Sequence, residues 1–130
     1  MANENVAAPG LGFETAGLGA RLDAWSDDPA RYDELGFGLV AMDLEGTVVA
    51  YNRLEAEFAG LAPDHAIGSI FFCDVAPCTN NSLVAGRFYA ASDLDAVIDY
   101  VFTVKMCPRP VQLRLLKNER SGRQYIAVKW

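Results

Sequence analysis

One histidine, three cysteines and a shortage of basic residues set the first limits on this 130-residue chain. His65 stands alone, and Cys73, Cys78 and Cys107 are odd in number and lack CxxC spacing. Neither a Cys/His zinc site nor a disulfide framework is expected, and at least one thiol stays free. Lys and Arg number 11 against 17 Asp and Glu, for a formal net charge of −6. Phosphate backbones and anionic lipid both require a basic face, so neither nucleic acid nor a membrane surface is an expected partner. No apolar run approaches the roughly 20 residues that span a bilayer. The opening MANENVAAPG has neither the basic nor the apolar region of a signal peptide, which makes the cytoplasm the expected location.

What remains is the composition of a folded domain, 52% hydrophobic and 22% charged, at a length that suits one core. Residues 1–34 differ in texture from the rest. Gly10, Gly12, Gly17 and Gly19 loosen the chain, while Leu18, Leu22 and Trp25 recur at i, i+4, i+7 and predict a short amphipathic helix. Asp28-Pro29 reads as the N-cap and first position of a second helix. This segment reads as a weakly held cap, and residues 35–130 as the core.

From Gly36 the pattern turns to strands. FGLVAMD, a turn at Leu44-Glu45-Gly46, and TVVAYN predict a β-hairpin. Residues 53–59 read as a helix that Gly60 ends, Pro63-Asp64 opens a shorter one, and SIFFCDV is a compact apolar run. Asn81 or Ser82 can cap a longer helix through Phe88 and Tyr89. LDAVIDYVFTVKM, VQLRLLKNE and RQYIAVKW read as three closing strands, separated by Cys107-Pro108-Arg109-Pro110 and by Ser121-Gly122. Two strands, several short helices and three strands predict an α+β domain with an antiparallel sheet and helices on one side.

Two features bear on chemistry. Tyr51, Leu54, Glu55 and Phe58 fall at i, i+3, i+4, i+7, which puts a carboxyl on an apolar helical stripe beside a phenol. Burial raises a carboxyl's pKa and leaves it able to donate a proton at neutral pH. The competing structural reading is a capping box over Asn52-Arg53-Leu54-Glu55, with Glu55 reaching back to the Asn52 N–H. The second feature is DVAPCTNN at 74–81, where Pro77 stiffens the approach to Cys78 and a helix start after it could stabilise a thiolate. Most free cysteines are simply small buried hydrophobes. Cys73, after two phenylalanines, reads as core, and Cys107 as an incidental turn residue. A thiol enzyme would need His65 close to a cysteine, and His65 sits in a polar loop.

FFCDVAPCTNN at 71–81, DLEGTVVAYNRLEAEFAG at 43–60 and DYVFTVKMCP at 99–108 together resemble the photoactive yellow proteins, light sensors of the PAS fold. The resemblance runs from about Leu35 onward and is looser in the cap. It implies a central antiparallel five-stranded sheet flanked by short helices, with an N-terminal helical cap and no enzymatic activity. It also implies a p-coumaric acid (4-hydroxycinnamic acid) chromophore joined as a thioester to Cys78, with Tyr51 and Glu55 donating to its phenolate oxygen. Val40, Ala59, Leu61, Phe71, Val75, Ala76, Thr79, Phe102, Val104 and Met106 fall at positions that line or support the pocket. Ala59 stands where the family usually has a threonine, Leu61 where it has a lid arginine, and Val104 where it has a tyrosine. The expected partners are the small-molecule chromophore and an unknown downstream signalling protein, with the chain a monomer or weak dimer. The alternative is a colourless PAS-type module that binds a ligand or a partner.

Overall fold

The expected hairpin forms as β1 (Gly38–Asp43) against β2 (Val48–Tyr51) in the computed structural model, which describes residues 11–104 and 106–130 and only the backbone of Val104. The Asp43 carboxylate accepts the N–H groups of Glu45 and Thr47, both at 2.9 Å. Gly46 takes the positive φ of 87° that the turn requires. Three longer strands complete the sheet: β3 (Asp93–Val104), β4 (Cys107–Asn118) and β5 (Arg123–Lys129). All pairings are antiparallel and the order is β2-β1-β5-β4-β3, so the first strand lies beside the last.

Helices were expected on one side of the sheet, yet both faces are covered. The reason lies in β1 and β5, whose GLVAM and YIAV runs are apolar at every position and need a partner on each side. On the front, Val40, Met42, Leu113, Leu115, Ile126 and Val128 pack against Phe71, Phe72, Val84 and Phe88. On the back, Leu39, Ala41, Leu116, Tyr125 and Ala127 meet Leu11, Phe13, Leu18, Leu22, Tyr32 and Phe37.

Residues 11–34 are accordingly not a weakly held cap. Helix α1 (Leu18–Asp23) buries Leu18 and Leu22 completely, in keeping with their spacing. The Arg114 guanidinium donates to the carbonyls of Phe13 (2.9 Å) and Thr15 (2.8 Å) while forking onto the Asp95 carboxylate. The Tyr125 hydroxyl donates to Asp23 at 2.6 Å. Pro29 opens a single 3₁₀ stretch to Glu34, but the Asp28 side chain makes no cap hydrogen bond.

Three further expectations are corrected on the front face. SIFFCDV does not run straight: Phe71–Val75 wind into a π-type turn closed by the Ala76 N–H on the Phe71 carbonyl, which turns Phe71 and Phe72 inward and leaves Cys73 exposed. The Cys107–Pro110 stretch is no separator but the start of β4, paired with β3 from Val104↔Cys107 onward. Its prolines lie where β3 alone flanks the strand, since β5 joins only at Gln112. The helix after Cys78 is shorter, α4 (Ala85–Ala90), with the Asn81 side chain accepting the Leu83 and Val84 N–H groups ahead of it. Among the described residues no helix is long and apolar enough to cross a membrane.

The elements meet at Asn52. Its carboxamide oxygen accepts from the N–H of Leu39 (2.9 Å) and of Glu55 (3.0 Å), and its NH₂ donates to the carbonyls of Tyr32 (2.9 Å) and Phe37 (3.0 Å). Replacing it with alanine strands the Leu39 and Glu55 N–H groups and takes a donor from the Phe37 carbonyl, while the Tyr32 carbonyl keeps the Leu35 N–H. We expect Asn52→Ala to lose at least about 3 kcal/mol of unfolding free energy, measured by urea titration.

Candidate functional site

Helix α2 (Arg53–Ala59) starts at Asn52 and stops at Gly60, whose φ of 75° ends it. Glu55 is its one buried residue, at 3% exposure. The apolar stripe is narrower than its spacing predicts, since Leu54 is half-buried and Phe58 lies at the surface. The capping box closes only halfway: Asn52 takes the Glu55 N–H, but the Asn52 N–H donates to the Leu39 carbonyl at 3.0 Å. Glu55 therefore has no backbone donor to reach back for. Its Oε1 instead accepts the Trp130 indole N–H at 2.7 Å.

A cavity of about 280 Å³ opens on this carboxyl, near the lower end for small-ligand sites. It is lined by Tyr51, Glu55, Ala59, Leu61, Phe71, Val75, Ala76, Pro77, Cys78, Phe102, Thr103 and Trp130. Tyr51, Glu55 and Cys78, far apart in sequence, thus share one space. A larger open groove of about 620 Å³ runs outside β2 but lacks both a thiol and a buried acid. His65 is exposed on the short helix α3 (Pro63–Ala66) and does not reach the Cys78 cavity.

Cys78 is aimed by its backbone. Pro77–Thr79 form one 3₁₀ turn, the buried Thr79 hydroxyl donates to the Ala76 carbonyl at 2.6 Å, and the Cys78 carbonyl accepts from Tyr100 (2.6 Å) and Asn81 (3.0 Å). The turn does not activate the thiol. Burial pushes the Cys78 pKa up, with its own backbone N–H offsetting part of the rise.

The acid and the phenol also hold their protons more tightly than usual. Burial pushes Glu55 from the ordinary 4.5 to about 7, against the lowering effect of the Trp130 hydrogen bond. Burial, and then the nearby Glu55 charge, raise Tyr51. Its hydroxyl has no hydrogen-bond partner among the described residues, although the residue is 5% exposed. The Tyr51 phenol faces the cavity that Glu55 and Cys78 also line.

Of the remaining expected pocket residues, Val40 is buried in the front core and Thr79 supports the turn from behind. Met106 is corrected: it sits at the β3–β4 hairpin tip with φ 68° and 91% exposure, because the strands run on past the cavity before they turn. The Val104 side chain lies outside the described residues. Trp130 was not foreseen, although the two-residue period of β5 puts it on the same face as Ile126 and Val128.

No protein-family model matches the chain. The photoactive yellow protein of Rhodothalassium salexigens is 39% identical over 103 residues, which cover 77% of this chain and 82% of that protein. The chain belongs to the photoactive yellow protein family. The family's protein from Halochromatium salexigens is 36% identical over 75% of this chain and 80% of its own length. Among solved structures, the photoactive yellow protein domain of the sensor histidine kinase Ppr from Rhodospirillum centenum superposes with a TM-score of 0.74 at 35% identity, covering 83% of this chain and 99% of that one. The fold is the PAS fold, as expected.

The raised carboxyl has a consequence for stability. Its folded pKa lies above its unfolded one, so the native state keeps a proton that the unfolded chain releases. Glu55 costs nothing below pH 4.5 and progressively destabilises the fold up to about pH 7. We expect a loss of about 3 kcal/mol across that window in the pigment-free protein, absent in Glu55→Gln, with urea titrations at pH 4 and pH 8 of both proteins as the check.

Proposed function

We propose that this chain is a cytoplasmic blue-light photoreceptor carrying p-coumaric acid as a thioester on Cys78 Sγ. The observation that supports it most is the meeting of a free thiol, a buried phenol and a buried acid of raised pKa in one small cavity. When bound, the pigment supplies the blue absorption, the trans-to-cis isomerisation and the oxygen that receives a proton.

The chain's own residues do the rest. Because its thiol is held neutral, Cys78 must lose its proton to solvent before Sγ can displace the leaving group of an activated p-coumaroyl ester. Tyr51 and Glu55 then present two O–H donors to a phenolate that would otherwise be buried at high cost. Glu55 is the proton donor of the cycle. Giving up that proton leaves a carboxylate in the interior, at a cost of several kcal/mol against a domain stability of about 5–15 kcal/mol. Asn52 links the Glu55 helix to the Tyr32 carbonyl of the cap, so the cap is the segment expected to yield. A domain of this family belongs to a sensor histidine kinase in Rhodospirillum centenum, which supports a signalling partner here.

Mixing the pigment-free protein with an activated p-coumaric ester should produce a blue-absorbing band that bleaches reversibly in light and is missing in Cys78→Ser. Absence of a Cys78-dependent band would sink the proposal in favour of a colourless PAS-type module. In the loaded protein, hydrogen exchange across residues 11–34 should quicken under illumination, and unchanged exchange there would rule out the cap as the signalling element.

A further inference from the structure

Trp130 occupies a built slot. Its ring stacks on Phe58 (centroids 5.4 Å apart, planes 17°) and packs against Phe102 at 5.5 Å, while the Arg109 guanidinium covers the outside, 5.1 Å from the Phe58 centroid and 5.5 Å from that of Trp130. Gly38 shapes the other side. A Cβ there would collide with Glu55 Oε1 and come within 3.0 Å of the Trp130 indole nitrogen. The bare backbone at Gly38 is what lets the indole and the carboxyl meet at 2.7 Å.

We infer that Trp130 is a positioning residue for the Glu55 acid, fixing Oε1 as an acceptor so that Oε2 carries the transferable proton. An indole N–H only donates, so the oxygen it binds serves as the acceptor in both protonation states. The acid proton thus falls to Oε2, which has no partner among the described residues. Once that proton has gone, the carboxylate keeps a donor 2.7 Å away, and a hydrogen bond to a charged group is the stronger kind. Glu55 is therefore a better proton donor, and the state that follows is longer-lived, than with an unsupported carboxyl. The other titratable groups on the cavity are Tyr51 from β2 and Cys78 from its turn. Arg109, from β4, lies beyond the rings.

The light-driven half of this inference rests on the proposed function, but the acid–indole half does not, so the test begins without pigment. In Trp130→Phe, which keeps the aromatic packing, the protonated-carboxyl infrared band that Glu55→Gln removes should persist about one pH unit higher, a tenfold gain in proton affinity. An unchanged midpoint overturns the inference. The wild-type protein offers a second measurement that needs no variant to fold. The Trp130 indole N–H resonance should titrate with the Glu55 midpoint while that of Trp25 stays still, and a flat Trp130 resonance overturns it equally. In pigment-loaded protein, Trp130→Phe should return to the dark state several-fold faster, and an unchanged rate would refute the claim on lifetime. Should Cys78 fail to load, the photoreceptor reading falls and the two pigment-free measurements still decide this one.

Discussion

A single buried amide holds the working parts of this domain together. Asn52 uses both lone-pair directions and both N–H groups, reaching the entry to β1, the first turn of α2 and the 3₁₀ stretch of the cap. Because each partner is a backbone group away from water, none of the four bonds can be traded for a solvent contact without local opening. The acid helix, the inner strand and the cap therefore share one constraint. A shift of Glu55 acts on the segment that carries it and, through that amide, on the back of the sheet.

Burial raises the proton affinity of the thiol, the phenol and the carboxyl alike, bringing Glu55 to about 7. The aromatic wall of Phe58, Phe102 and Trp130 packs beside the acid and gives it one fixed donor. Support for the charged form of Glu55 thus already stands beside it.

Much of this was legible in the residues. The hairpin, the α2 helix and its Gly60 stop followed from local patterning, and the family resemblance rested on the DVAPCT run with Tyr51 and Glu55 upstream. The misses share a physical cause. The unbroken apolar runs of β1 and β5 call for cover on both faces, but which segment supplies the second cover is set by long-range packing, and it is the cap. Nor does local pattern reveal that Phe71–Val75 wind by five-residue steps, which turns Cys73 outward where a straight run would have buried it. The Asn52–Glu55 spacing fits a capping box, but the Asn52 N–H was already committed to Leu39, a contact thirteen residues away. Trp130 shows the opposite case, a readable period that carries an unexpected contact with Glu55.

The Arg114 fork divides its bonds unequally between parts that can separate. Two go to Asp95 on the neighbouring strand and stay within the sheet, and two go to cap carbonyls. If the cap lifts, the guanidinium keeps its counter-ion, and the exposed carbonyls can turn to water. What the departure uncovers is an apolar floor of Leu39, Ala41, Leu116, Tyr125 and Ala127, with a charge-compensated Arg114 at its rim. Detaching the cap would therefore strand no buried charge at Arg114, and its cost would fall on the apolar contacts with this floor.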